Sequence, residues 1–270
     1  MKNRIRPLLA GVTSIALLSV SAEATVVFTD TFASGTGSWF SGGSAGTLQN
    51  SSGQLDWSTP ANNDTGSIGR SFSSQTVGVG QTIRLTMDYT QNAATTGDLI
   101  RVGFYDAANS ITANEWSTSG STIAAFSGYY GFIRDAGTTS QLRRESATDS
   151  TTATSGPTVQ TTVNALSNLT GTAVNFNIVQ GTAYKIIFEV TRTSSTLVSV
   201  NYRLTSLDGL STHQNINGDT TALLVDSFDT VVIRANGPIL LDNIEVSVVP
   251  EPAIALLGGL GLLGLLRRRR

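Results

Sequence analysis

Residues Gln81 to Gln91 alternate: Ile83, Leu85, Met87 and Tyr89 fall on one side of an extended chain, and Arg84, Thr86, Asp88 and Thr90 on the other. Successive side chains of a strand point to opposite faces, so this spacing predicts a strand with one buried face and does not fit a helix. Tyr184 to Thr193 repeats the pattern with Tyr184, Ile186, Phe188 and Val190 inward. After Arg192-Thr193-Ser194-Ser195-Thr196, Leu197 to Leu204 repeats it with Val198, Val200, Tyr202 and Leu204, which predicts a hairpin.

Further short strands are expected at Val26–Phe32, Leu99–Tyr105, Tyr129–Arg134, Phe228–Ala235 and Ile239–Val248, and as a hairpin joining Leu48–Gln49 to Gln54–Trp57. Asp208-Gly209, Asn217-Gly218-Asp219 and Asn236-Gly237-Pro238 read as turns between strands, and Arg144 to Thr162 as a long loop. Many strands, polar turns and no segment of helical period predict an all-β fold, a jelly-roll-like antiparallel β-sandwich over residues 25–248. Helix is expected only in a signal segment at the start and a short hydrophobic segment at the end. No composition step divides the body, so one domain is expected.

Charged residues make up only 13% of the 270 residues, and there is no cysteine, which removes disulfides, thiol nucleophiles and thiolate metal sites. Seven of the 17 basic residues lie in the terminal segments, leaving 10 against 17 acidic residues between Thr25 and Val249, a net of −7. An acidic body without basic stripes excludes nucleic acid as a partner.

The first 24 residues have a basic start, an apolar stretch from Leu8 to Val20, and small residues at Ala22 and Ala24. This is the pattern of a secretory signal peptide, cleaved after Ala24 or, as the alternative, after Ala22, and it implies Sec-type export. At the other end, Ala253 to Leu266 is 14 residues. As a helix it covers roughly 21 Å at about 1.5 Å per residue, short of a hydrocarbon core about 30 Å thick. Pro250 and Pro252 disfavour extending it, and the arginines Arg267, Arg268, Arg269 and Arg270 would stay cytoplasmic.

Val249-Pro250-Glu251-Pro252, a Gly/Leu-rich span and a terminal Arg cluster together resemble the PEP-CTERM sorting signal of Gram-negative bacteria. The resemblance covers residues 249–270. It implies recognition by an exosortase, processing near Pro250-Glu251-Pro252, transient membrane insertion by the tail, and a destination at the cell surface or in the exopolysaccharide matrix. Leu240 to Val246 (LLDNIEV), with an opening strand carrying Asp30, resembles jelly-roll carbohydrate-binding modules and related lectin-like sandwiches.

Strict alternation puts Asp242 in phase with Leu240, Ile244, Val246 and Val248, and Asp30 in phase with Val26, Phe28 and Phe32. A buried carboxylate requires a cation, hydrogen bonds or a proton. If the terminal strands share a sheet, Asp30 and Asp242 are candidate ligands of a structural Ca²⁺, a hard cation suited to oxygen donors. The alternative is that each caps loop amides at the rim.

Catalysis has little to stand on. His213 is the single histidine, so a nucleophilic triad has only one candidate base, and the E-x-D-x-x-E pattern of sandwich glucanases is absent. Glycoside hydrolysis needs two carboxylates, but Glu145 and Asp149 lie in a polar stretch without flanking aromatics. Binding needs less: sugar rings stack on aromatic side chains while polar groups meet the hydroxyls. Trp116 with Glu115, and Tyr129 with Tyr130, are the candidates; Trp39, Phe40 and Trp57 read first as core. The sequence therefore predicts an exported, non-catalytic sandwich with exopolysaccharide as a candidate partner. A structural or adhesive matrix protein is the rival and a polysaccharide-degrading enzyme a third reading.

Overall fold

The alternating Gln81–Gln91 segment is an inner strand of an eight-stranded sheet, and every residue assigned to its apolar side is fully buried. The structure, a computed structural model, describes residues 23–42, 47–58, 67–92, 98–109, 111–114, 126–134, 141–145, 178–208, 212–235 and 237–250. Within them the chain forms β1 (Thr25–Asp30), β2 (Phe40–Gly42), β3 (Thr47–Ser51), β4 (Gln54–Ser58), β5 (Ser67–Thr76), β6 (Gln81–Gln91) and β7 (Asp98–Asp106). There follow β8 (Ser127–Arg134), β9 (Gln141–Glu145), β10 (Ala183–Arg192), β11 (Leu197–Ser206), β12 (Thr212–Ala222), β13 (Ser227–Ala235) and β14 (Ile239–Pro250). No helix occurs among the described residues.

Two antiparallel sheets form a sandwich. The larger has the order β12-β11-β10-β6-β14-β4-β3, with β1 also paired to β14; the smaller is β2-β5-β13-β7-β8-β9. Glu23–Pro250 is one unit, and its strands pair only with one another. Between the sheets lie Leu85, Phe188, Val200, Tyr202, Phe104, Tyr129, Phe228, Ile233 and their neighbours. Side chains of this kind contribute about 1.5–3 kcal/mol each when fully buried. The expected β10–β11 hairpin forms in the expected register, with Phe188 opposite Tyr202.

Four strands escape the alternation rule. β2 is only three residues long, β9 is five, β5 reads SIGRSFSSQT and β12 reads THQNINGDTTA. The expected turn Asn217-Gly218-Asp219 is instead part of β12, where the register slips between Val200 and Tyr202 of β11. Asn and Gly there accommodate a bulge rather than a chain reversal. The expected loop from Arg144 likewise starts inside β9; residues 146–177 lie outside the described residues.

A second bulge overturns the phase assigned to Asp242. The register of β14 against β6 shifts between Asp242 and Glu245, and Asn243 adopts φ 48°, the left-handed region that Asn tolerates. Ile239 and Leu241 point inward before the bulge, Ile244 and Val246 after it. Asp242 therefore faces outward, directly opposite Asp88. A third shift, at Val26/Phe28 of β1, leaves Val26 51% exposed, although alternation places it with the core.

Candidate functional site

In a simple sandwich the outer faces are polar, and the eight-stranded sheet obeys. Arg84 bonds Glu189 at 2.6 Å, Asn201 donates to the same carboxylate, and Lys185 and Asn243 each donate to Asp88 at 2.8 Å. The outer face of the six-stranded sheet does not. Three of its strands carry large side chains on both faces: Phe104 inward and Tyr105 outward, Tyr129 and Ile133 inward with Tyr130 and Phe132 outward, Val231 and Ile233 inward with Val232 outward. The outward set forms a second apolar cluster, joined by Ala107, Ile111, Phe126 and the flanking Phe40.

Strand register orders this face into transverse rows, because directly opposed residues project to the same side. One row runs Gly42, Ser67, Arg234, Arg101, Phe132 and on to the position of Gln141. The adjacent row runs Phe40, Gly69, Val232, Gly103, Tyr130 and on to the position of Arg143. Arg101 and Arg234 stand side by side on neighbouring strands, 6% and 5% exposed, and the Arg101 guanidinium lies 5.3 Å from the Phe132 ring centroid. Tyr130 and Phe132 stack at 6.4 Å. The Ser67 hydroxyl, fully buried opposite Arg234, makes no hydrogen bond.

Gly103 and Gly128 make room for this layer. A Cβ on Gly103 would sit 2.7 Å from the Tyr105 ring and 2.8 Å from the Tyr130 Cβ, and one on Gly128 would meet the Phe104 carbonyl oxygen. The segment after β7 packs against the same face: Ile111 N donates to Ser71 Oγ, and Ser41 N donates to Asn114 Oδ1 at 3.0 Å. Its root is held by the buried Asp229, whose carboxylate accepts from Ala107 N at 2.9 Å and Asn109 N at 2.7 Å.

The residues singled out from sequence are divided by this arrangement. Tyr130 is in the outer layer; Tyr129 is in the main core, its hydroxyl accepting from Leu224 N. Glu115 and Trp116 lie outside the described residues, as do Glu251, Pro252, Arg267 to Arg270 and residues 1–22, while Pro250 ends β14. Trp39 and Trp57 are core, as expected. Sequence reasoning passed over Arg101, Arg234, Phe132, Tyr105 and Ser67. The available signal was an arginine between two core residues, as in Ile100-Arg101-Val102 and Ile233-Arg234-Ala235.

The two aspartates proposed to share a cation are not brought together. Asp30 pairs with Ile244 and faces inward, whereas Asp242 faces outward. Asp30 accepts from Phe32 N, Trp39 Nε1 and Arg70 Nη1, the last at 2.8 Å. Arg70 also lies 3.9 Å over the Phe28 ring. Burial draws the Arg70 guanidinium below its ordinary pKa, and the adjacent carboxylate acts against that shift. The capping alternative describes Asp30 in part, since one oxygen holds a loop amide. Asp242 Oδ1 accepts from Asn243 N at 2.7 Å, a local contact within the bulge. Among the described residues no three acidic or histidine side chains gather as a metal cage.

No family model matches the chain, and no curated protein does. Among solved structures, the chain is similar to a protein of unknown function from Shewanella oneidensis at 13% identity and TM-score 0.49, over 91% of this chain and 98% of that one. It is similar to an endo-1,3-beta-glucanase from Streptomyces sioyaensis at 13% identity and TM-score 0.44, over 85% and 98%. It is also similar to a lectin from Bauhinia forficata, solved with GalNAc, at 8% identity and TM-score 0.42, over 85% and 100%. All three are low-identity likenesses of fold.

Proposed function

We propose that this chain is an exported, exosortase-processed protein of the cell surface or extracellular matrix, whose Glu23–Pro250 sandwich is a non-catalytic glycan-binding module. The observation that supports glycan binding is the inequality of the two outer faces. One is a solvated ladder of ion pairs; the other carries a second, buried layer of aromatic rings, guanidinium groups and a hydroxyl, the kinds of group that sugar rings and their substituents meet. Among the described side chains of its two rows there is no carboxylate, so they contain no acid–base pair for glycoside hydrolysis.

Export and processing rest on the sequence of the two ends. Cleavage after Ala24 would leave β1 whole, since that strand starts at Thr25, and processing after Pro250 would leave β14 whole. A Sec-type translocon and an exosortase are the partners this reading requires. The intact mass of protein recovered from the producing cells tests it: a mature chain starting at Thr25 and lacking Arg267 to Arg270 is expected, and a product keeping both ends overturns it.

A glycan array probed with the Thr25–Pro250 fragment tests the binding. Capture by at least one glycan class is expected, and an array without a hit removes the binding role. One observation favours a second reading, a structural or adhesive matrix protein: Tyr130 and Phe132 are only 2% exposed, as the rings of a second core would be.

A further inference from the structure

Resting on the reading that the C-terminal tail enters a membrane before processing, we propose that the end of the sandwich carrying Val79 and Leu197 docks on that phospholipid bilayer. The two side chains enter its headgroup layer while Ala253 to Leu266 is inserted.

Strand register places these residues. Val249, Thr82, Thr191 and Ser199 form one row across β14, β6, β10 and β11, and Pro250, Gln81, Arg192 and Val198 form the next and last. Leu197 precedes Val198, and Val79 lies in the turn before β6, where Gly80 N donates to Arg192 O at 2.7 Å. Both therefore stand beyond the row of Pro250, on the side toward which β14 runs. They are large apolar side chains, yet 40% and 52% exposed. Single apolar residues on a surface are ordinary in themselves. What distinguishes these two is that the chain leaves the sheet beside them and passes into an apolar run.

The length of the connection forces the approach. From Pro250 to Ala253 there are three peptide steps, at most about 11 Å. The interfacial layer on each side of the hydrocarbon is itself about 5–8 Å deep. With Ala253 at the hydrocarbon boundary, groups beyond the row of Pro250 come within reach of the headgroups. The tail acts in the same direction. As a helix its 14 residues cover roughly 21 Å of a core about 30 Å thick, and a span that short is accommodated by thinning the bilayer or drawing its flanks inward.

Neither turn opposes an anionic surface. Val77-Gly78-Val79-Gly80 and Thr193-Ser194-Ser195-Thr196 hold no charged residue, and Asp226 is paired with Arg192 at 2.6 Å. Val179 and Leu207 are as exposed, at 60% and 45%, but lie at the opposite end, where Tyr184 pairs with Ser206, and Asp208 follows Leu207. They serve as internal controls.

The chain has no cysteine, so single substitutions can be labelled cleanly. The Thr25–Arg270 chain, carrying Val79→Cys, Leu197→Cys, Val179→Cys or Leu207→Cys with a nitrobenzoxadiazole label, is reconstituted with vesicles of phosphatidylethanolamine and phosphatidylglycerol. Flotation reports insertion of the tail, and a headgroup spin-labelled lipid quenches labels that reach the surface. Labels at positions 79 and 197 are both expected to be quenched at least about twofold more than those at 179 and 207. A label on the exposed Ser195→Cys separates docking from mere tethering. Its quenching should fall at least about twofold when Val79→Asp and Leu197→Asp are introduced together, with flotation unchanged.

A chain that floats without stronger quenching at both positions overturns the docking and leaves tail insertion standing. So does quenching at Ser195→Cys that ignores the double aspartate change. A chain that does not float overturns both this inference and the membrane reading beneath it.

Discussion

Arg70 of β5 donates to Asp30 of β1 at 2.8 Å, so an ion pair ties the two sheets together across the edge of the core. Both side chains are mostly buried, and the guanidinium also covers Phe28. Removing one partner of such a pair leaves the other charge desolvated. Asp30→Ala is expected to cost about 2–4 kcal/mol, somewhat below the value for a fully buried pair. In a urea-melt double-mutant cycle, Asp30→Ala with Arg70→Met should be less costly than the two single changes added. Strict additivity would show that the pair does not couple the sheets.

The same geometry bears on calcium. With Asp30 occupied by Arg70, Trp39 and a backbone amide, and Asp242 on the other side of the sheet, the two cannot share an ion without repacking. The melting temperature is expected to be the same in EDTA and in millimolar Ca²⁺. A rise of several degrees with calcium would mean that a site exists elsewhere.

Buried phenols predict a pH profile. Burial pushes the pKa values of Tyr89 and Tyr202 well above the ordinary phenol value, with smaller contributions from Tyr184 at Tyr89 and from Tyr89 at Tyr202. In the unfolded chain the same groups titrate near about 10. Below that pH both states hold the proton and the stabilisation is fully present. Above it the unfolded chain releases protons that the native chain keeps, so stability falls as pH rises. Urea midpoints measured from about pH 8 to 11 should be flat and then drop. The Tyr202 hydroxyl has no partner, so Tyr202→Phe should be neutral or stabilising by up to about 1 kcal/mol at pH 7 and should lessen the alkaline drop.

Asp229 is expected to be a stability residue with a local signature. Its carboxylate holds the amides of Ala107 and Asn109 and the hydroxyl of Thr230. Asp229→Ala leaves those donors unmet inside the protein and should cost about 2–3 kcal/mol. Hydrogen exchange should accelerate at the amides of Ala107 and Asn109 well before the core strands respond. Uniform acceleration would instead mean that the contact supports the whole sheet equally.

Gly103 gives a separate handle on the aromatic layer. A methyl group there overlaps Tyr105 and the Tyr130 Cβ, so Gly103→Ala is expected to destabilise by about 1–3 kcal/mol and to displace the Tyr105 ring. Near-ultraviolet circular dichroism should report the change. An unperturbed spectrum would mean that the layer has slack the present geometry does not show.

How far the fold could be read in advance depended on which faces are apolar. β6, β10 and β11 bury one side and expose the other, and their residues were assignable one by one. β5 and β12 carry few large apolar residues and take their strand form from their neighbours, so periodicity passed over them. Asp242 was misplaced because alternation assumes an unbroken ladder, and the bulge at Asn243 inverts the phase in the middle of β14. The binding candidates fared similarly. Tyr129 and Tyr130 drew notice as adjacent aromatics, yet only register shows that Tyr130 and Phe132 of β8 share a face with Arg101 of β7 and Arg234 of β13. That grouping is a property of pairing between distant strands, and no local pattern encodes it.

β14 pairs with β6 from Ile239 to Asp242 and, past the bulge, from Glu245 to Pro250, and its other edge is gripped by β4 and β1. Thr25 of β1 stands beside Val248 of β14, so the two run in opposite directions from one end of the sheet. A pulling force entering at Pro250 therefore acts along the β14 axis, at right angles to its inter-strand bonds, and loads many rungs at once in shear. The same force applied between Thr25 and Pro250 would peel β1 away one rung at a time. A body held through Pro250 and pulled elsewhere would resist rupture far better than one pulled between those two residues.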